Sequence, residues 1–181
     1  IQKILDEAIF SEDFEGLRDR MVLEFLYLTG VRLSELLNLK WKHIDLHTEV
    51  VKVLGKRKKE RIIPLTKGLV GHIRDYRKVF EETFSKVDHE DYFIVTIHRE
   101  QAYPMKIYRI VRKYLDLFAQ TSKRSPHLLR HTFATHLLNK GADLNAVKDL
   151  LGHTSLAATQ VYTHNSIEKL KDVFNQAHPK A

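Results

Sequence analysis

Cysteine is missing from the 181 residues, which excludes disulfides and any metal site built on thiolates. No apolar run approaches the ~18 residues that a membrane-crossing helix needs. The segment after Ile1 does not read as a secretion signal either, because Asp6, Glu7 and Glu12 interrupt it. Internal repeats, low-complexity tracts and linker-like stretches rich in proline, glycine or serine are missing too. No glycine-rich phosphate loop occurs either. A chain of 181 residues is long enough for one buried core, with room for a small second subdomain, and the expected location is the cytoplasm.

What is present is charge of one sign. Thirty Lys and Arg face 23 Asp and Glu, a net charge of +7. Such a surplus favours polyanionic partners, nucleic acid before anionic membrane. Lys56, Arg57, Lys58, Lys59 and Arg61 crowd one short stretch. Charge alone makes that stretch a solvated loop.

Periodicity supplies the frame. Val22, Phe25, Leu26 and Thr29 recur at helical spacing within an amphipathic helix from Arg18 to Thr29, which stops at Gly30. A short helix follows over Leu33 to Leu39. Ile44 to Leu46, Val50 to Leu54 and Arg61 to Leu65 are short β-rich runs, read as a small antiparallel sheet with Gly55 to Glu60 at a hairpin tip. Helical spacing returns from Lys67 to Phe84, and again through Ile107, Ile110, Val111, Tyr114 and Phe118. Ser125-Pro126 starts a helix that runs to Lys140, and Asp143 caps another ending near Gly152. Ser155 to Tyr162 reads as helical, and Asn165 with Glu168 resembles a capping box for a final helix. The expected fold is mainly α with one small sheet at an edge.

Three segments concentrate polar groups beyond what packing requires. The first is Thr29-Gly30-Val31-Arg32-Leu33-Ser34-Glu35-Leu36, an arginine at a turn between apolar helices. The second runs from His127 to His136 and puts His127, Arg130 and His131 on one helix face. The third is Leu151-Gly152-His153, with Tyr162 nine residues after His153. Paired histidines four apart are also a zinc pattern. Here the glutamate of His-Glu-x-x-His is missing, and Arg130 would place a cation beside the metal. An anion site fits better, because a guanidinium is a planar fork of donors suited to phosphate. His131 and His136 accompany apolar Leu128, Phe133 and Leu137, and are read as packing or hydrogen-bonded residues; His164 is read as structural.

Taken in order, Thr-Gly-x-Arg32-x-Ser-Glu35-Leu, the Gly55-Lys56-Arg57-Lys58-Lys59-Glu60-Arg61 hairpin, His127-x-x-Arg130-His131, Leu-Gly-His153 and Tyr162 resemble the motif set of the tyrosine recombinases, the phage integrase family. Any one motif is weak, but five in sequence are specific. The stretch from Tyr162 to Ala181 is similar to the bacterial Xer subgroup, which resolves chromosome dimers.

The resemblance implies a fold, the catalytic domain of that family, and a chemistry. Tyr162 would attack a backbone phosphorus to give a 3′-phosphotyrosine and a free 5′-hydroxyl. A phenol of pKa ~10 needs help to lose its proton, and His127 is the expected general base. Arg32 and Arg130 would hold the non-bridging oxygens, His153 would add a hydrogen bond, and Lys56 would protonate the leaving oxygen. Glu35 would buttress the cluster. Lys58, Lys59 and Arg61 are expected phosphate contacts outside the reacting centre. Two arginines take the role of a metal, and exchange of one ester for another keeps the bond energy, so neither metal nor cofactor is expected.

The implied partner is double-stranded DNA, bound by a homo- or hetero-tetramer of recombinases on paired sites. A terminal helix with Ile167, Leu170, Val173 and Phe174 on one stripe would dock either on a neighbouring subunit or on its own chain. Full-length relatives carry a helical DNA-binding domain ahead of the catalytic one, and Ile1 to Asp6 resembles the first catalytic-domain helix, so that domain is expected to lie outside this chain. An integrase of a phage or mobile element shares the same site, and a DNA-binding relative without catalysis is the alternative from another class.

Overall fold

The computed structural model describes residue 5, residues 8–55, 60–118 and 125–152, and residues 171 and 174. Helix α1, Phe14–Leu28, is its axis. Asp13 caps it, the carboxylate accepting from the Gly16 amide at 2.8 Å, which satisfies one of the free amides of a first helical turn. Sequence spacing placed the start at Arg18 and one face inward. The structure starts the helix at Phe14 and buries every residue from Met21 to Val31. The reason is enclosure: α3 (Lys67–Phe84), α4 (Pro104–Phe118) and α5 (Pro126–Asn139) all pack around it.

A helix enclosed in this way must satisfy its own polar groups. Glu24 is buried, yet it accepts from Arg20 at 3.0 Å and faces Nδ1 of His72 at 2.8 Å. The Tyr27 hydroxyl meets Nδ1 of His136 at 2.8 Å, so His136 is the hydrogen-bonded histidine its context suggested. His131 differs, being exposed on α5 rather than packed.

Helix α2 is short, Leu33–Leu37. The strands β1 (Ile44–Asp45), β2 (Val50–Leu54) and β3 (Glu60–Pro64) form an antiparallel sheet in the order β1-β2-β3. Ile44 pairs with Val51, and Val53 with Arg61. Val51 and Val53 from β2 and Ile63 from β3 enter the core, as period-2 alternation requires. Helix α6, Leu144–Leu151, packs on both α5 and β3. Asp143 caps its start and Gly152 ends it in the left-handed conformation, φ 62°. At the far end of the chain, Phe174 is buried with its ring 6.4 Å from that of Phe133 in the same chain. Ile167, Leu170 and Val173 of that stripe lie outside the described residues. No helix among the described residues is long and apolar enough to cross a membrane.

Candidate active site

The site begins at the turn between α1 and α2. Gly30 has φ 61°, and a Cβ there would sit 2.4 Å from Cδ1 of Phe133. Only glycine meets both conditions, left-handed backbone and contact with a ring of α5. Two residues on, Arg32 stands just ahead of α2 with extended backbone. Glu35 folds back on it: one carboxylate oxygen accepts from the Arg32 amide at 2.7 Å and the other from its guanidinium at 2.9 Å.

Arg130, on α5, reaches the same turn by donating to the carbonyl of Gly30. His127 precedes it by one turn and is exposed on α5, behind Pro126 at the helix start. Two motifs about a hundred positions apart in sequence therefore meet at one bend.

A third element completes the cluster. The last carbonyls of a helix have no partner within it, and they carry the negative end of its dipole. At the end of α6, three consecutive carbonyls each accept from a different arginine. Leu150 accepts from Arg61 at 2.7 Å, Leu151 from Arg130 at 2.7 Å, and Gly152 from Arg32 at 3.0 Å. His153 is the next residue in the chain.

Arg61 does not do what charge patterning suggested. It is 5% exposed, and all three guanidinium nitrogens are engaged, Nε on Leu150 and the other two on the Glu35 oxygens at 2.7 and 2.8 Å. Drawing it out to a phosphate would leave Glu35 buried without its main counter-charge, at a cost of several kcal/mol. The expectation of a DNA contact at Arg61 is therefore corrected to a buried ion pair. Strand alternation carried the signal, since Arg61 shares its parity, and so its face, with buried Ile63.

Electrostatics follow from this geometry. Three guanidinium groups share one carboxylate, so two charges remain uncompensated among the described residues. Burial pushes the Arg130 guanidinium down to about 10, helped by the neighbouring Arg32. Burial opposes ionisation of Glu35, but the guanidinium of Arg61 and the amide and side chain of Arg32 hold its carboxyl below the usual value. A cluster left positive in this way gains from an anion, whose arrival relieves the repulsion between Arg32 and Arg130. Arg32 and Arg130 each spend two donors on the fold among the described residues, out of the five N–H groups an arginine carries. Lys56, Lys58, Lys59, His153 and Tyr162 lie outside the described residues, as do His164 and the Ser155 to Tyr162 helix.

Known proteins are similar to this chain in sequence and in fold. The phage integrase family matches residues 1–169, and the chain belongs to that family. It is 43% identical to a tyrosine recombinase XerC of Chlorobaculum parvum over 172 residues, 93% of this chain and 51% of the relative. It is 42% identical to a tyrosine recombinase XerC of Staphylococcus carnosus, over 98% of this chain and 59% of that one. The chain thus spans between half and two thirds of the length of these curated relatives. Among solved structures, the XerA recombinase superposes with TM-score 0.71 at 29% identity, over 99% of this chain and 63% of that one. XerH, crystallised on its difH substrate before cleavage, gives TM-score 0.71 at 26% identity, over 94% and 49%. The fold is that of the tyrosine recombinase catalytic domain, mainly helical with a three-stranded antiparallel sheet.

Proposed function

We propose that the protein cuts and rejoins duplex DNA as a site-specific tyrosine recombinase of the Xer type. The observation that carries this reading is the convergence of Arg32 and Arg130 on the Gly30 turn and the end of α6, with donors to spare for an oxyanion. Phosphoryl transfer needs charge stabilisation at the non-bridging oxygens more than it needs covalent help, and two fixed guanidinium groups supply it.

The remaining roles fall on residues of the family motifs. The oxygen of Tyr162 attacks phosphorus while the bond to the 5′-oxygen breaks, leaving a 3′-phosphotyrosine. His127 accepts the phenolic proton, Lys56 gives one to the departing oxygen, and His153 donates to the phosphate. One phosphoester is exchanged for another, so rejoining runs the same steps backwards. The partners in this reading are double-stranded DNA and further recombinase subunits, arranged as a tetramer on paired sites. XerC relatives and a XerH structure on its own recombination substrate favour the Xer reading over a mobile-element integrase.

The test is covalent trapping on nicked duplexes that carry candidate recombination sites, in excess chelator. A slow-migrating protein–DNA species with the wild type and none with Tyr162→Phe supports the proposal. DNA binding without an adduct would favour a binding-only relative. A chelator-sensitive cut without an adduct would point to a metal-dependent nuclease.

A further inference from the structure

Resting on the recombinase reading, we infer that Arg61 is a positioning residue for Arg32: it occupies the Glu35 carboxylate and so keeps the Arg32 guanidinium for the scissile phosphate. Two arginines compete for that carboxylate. Oε1 accepts from Nη1 of Arg32 at 2.9 Å and from Nη1 of Arg61 at 2.7 Å. Oε2 accepts from the Arg32 amide at 2.7 Å and from Nη2 of Arg61 at 2.8 Å. Arg61 thus makes the forked pair that arginine and carboxylate favour, while the Arg32 side chain gives Glu35 a single nitrogen. Its other terminal nitrogen goes to the carbonyl of Gly152 at 3.0 Å. Exposure divides the two in the same sense, 26% for the Arg32 side chain and 6% for that of Arg61, so Arg32 is the one open to a ligand.

The sheet delivers Arg61 to this place. Val51, Val53 and Ile63 seat β2 and β3 in the core, and Arg61 pairs with Val53 on the face it shares with Ile63. Its Nε is spent on Leu150 at 2.7 Å, so every nitrogen of Arg61 is engaged between α2 and the end of α6. Without Arg61, a buried carboxylate loses its forked partner, and a buried charge left uncompensated is costly. Arg32, with its amide on one oxygen and a guanidinium nitrogen on the other, is the cation at hand. Turning to form the fork itself, it would leave Gly152 and the phosphate. Charge changes in the same direction. Among the described residues, three guanidinium groups on one carboxylate leave two positive charges for an anion; Arg32 and Arg130 on the same carboxylate would leave one.

The experiment removes the charge that Arg32 would meet. A methyl group in place of one non-bridging oxygen makes the scissile linkage neutral, and the two diastereomers put the methyl on either side of phosphorus. Single-turnover cleavage of the phosphate and of both isomers is measured for the wild type, Arg32→Ala, Arg61→Gln, Arg61→Lys and Arg61→Gln/Glu35→Gln, alongside thermal melting. On the phosphate, Arg61→Gln should lose about 10²-fold, the order of one fixed oxyanion donor. Arg61→Lys keeps a counter-charge on Glu35 without the fork, and should lose less. Adding Glu35→Gln to Arg61→Gln should recover part of the rate, because a neutral amide does not capture Arg32. On an isomer that Arg32→Ala cleaves as fast as the wild type, Arg61→Gln should do so too.

An Arg61→Gln defect that persists on that isomer would overturn the inference, because Arg61 would then serve something other than the contact of Arg32 with the phosphate. Wild-type cleavage of the phosphate by Arg61→Gln would overturn it equally, as would a double variant no faster than the single one. Should Arg61→Gln melt below the assay temperature, Arg61→Lys carries the comparison across the same substrates. The underlying reading fails separately: an Arg32→Ala defect that neither isomer relieves removes Arg32 as a holder of the phosphate oxygen, and a wild type that forms no adduct removes the recombinase itself, and the inference with either.

Discussion

Arg130 on α5 donates to the carbonyl of Gly30, two residues before Arg32, so the two arginines that face the reacting phosphate in our proposal are fixed to one bend of the chain. The same guanidinium holds Leu151 at the end of α6. Helix α5, the α1–α2 turn and the segment leading to His153 are thereby joined by one side chain.

This joint sets what Arg130 variants should do. Arg130→Lys keeps a charge but loses the fork that spans Gly30 and Leu151. Single-turnover cleavage should fall by about 10²–10³-fold, the usual cost of losing one fixed oxyanion donor, and Arg130→Ala should fall at least as far. Near-normal cleavage by Arg130→Lys would show that charge alone suffices.

Gly30→Ala should destabilise the fold by about 3 kcal/mol, from left-handed backbone and forced overpacking together. The new methyl meets the Phe133 ring, so shrinking that ring in Gly30→Ala/Phe133→Leu should recover part of the loss. Urea unfolding of the wild type, Gly30→Ala, Phe133→Leu and the double variant measures the coupling, and strict additivity would argue against the contact.

The Glu35 carboxyl titrates below its ordinary value of 4.5 in the folded protein. A depressed acid adds stability that is complete above the unfolded value and fades as pH falls through the folded one. Melting temperatures of the wild type and Glu35→Gln should therefore differ most above about pH 5 and draw together below 4.5. A constant gap across that range would remove the ionised Glu35–Arg61 pair as its source.

Tyr27→Phe isolates a structural histidine. It leaves Nδ1 of His136 without its partner and should cost about 1 kcal/mol in urea unfolding. Cleavage by the folded variant should match the wild type, because this pair lies on the α1–α5 packing face and not at the arginine cluster. A specific loss of cleavage would bring His136 into the site.

Much of this architecture was legible in the chain itself. The bounds of α3, Lys67 to Phe84, follow from helical spacing, and the sheet follows from three short β-rich runs between turns. The start of α1 was missed because Asp13 and Phe14 lie ahead of the clear apolar period, and its full burial depends on three helices distant in sequence. Arg61 was misread for the same physical reason. Its neighbours in sequence are charged and its partners are far away, Glu35 by 26 positions and Leu150 by 89. Arg32, Glu35 and Arg130 stand in the family motifs, and the structure brings them together at the α1–α2 turn. The motifs give no hint that Arg32, Arg61 and Arg130 grip successive carbonyls at the end of α6.

The most direct measurement is the identity of the amino acid that carries DNA after trapping. The adduct formed on a nicked duplex is digested with protease and nuclease, and the nucleotide-bearing peptide is sequenced by mass spectrometry. The expected peptide carries a 3′-phosphonucleotide on Tyr162, alone among the seven tyrosines, and forms at the same yield in chelator. A nucleotide on any other side chain, or an adduct that persists in Tyr162→Phe, would contradict the proposed mechanism.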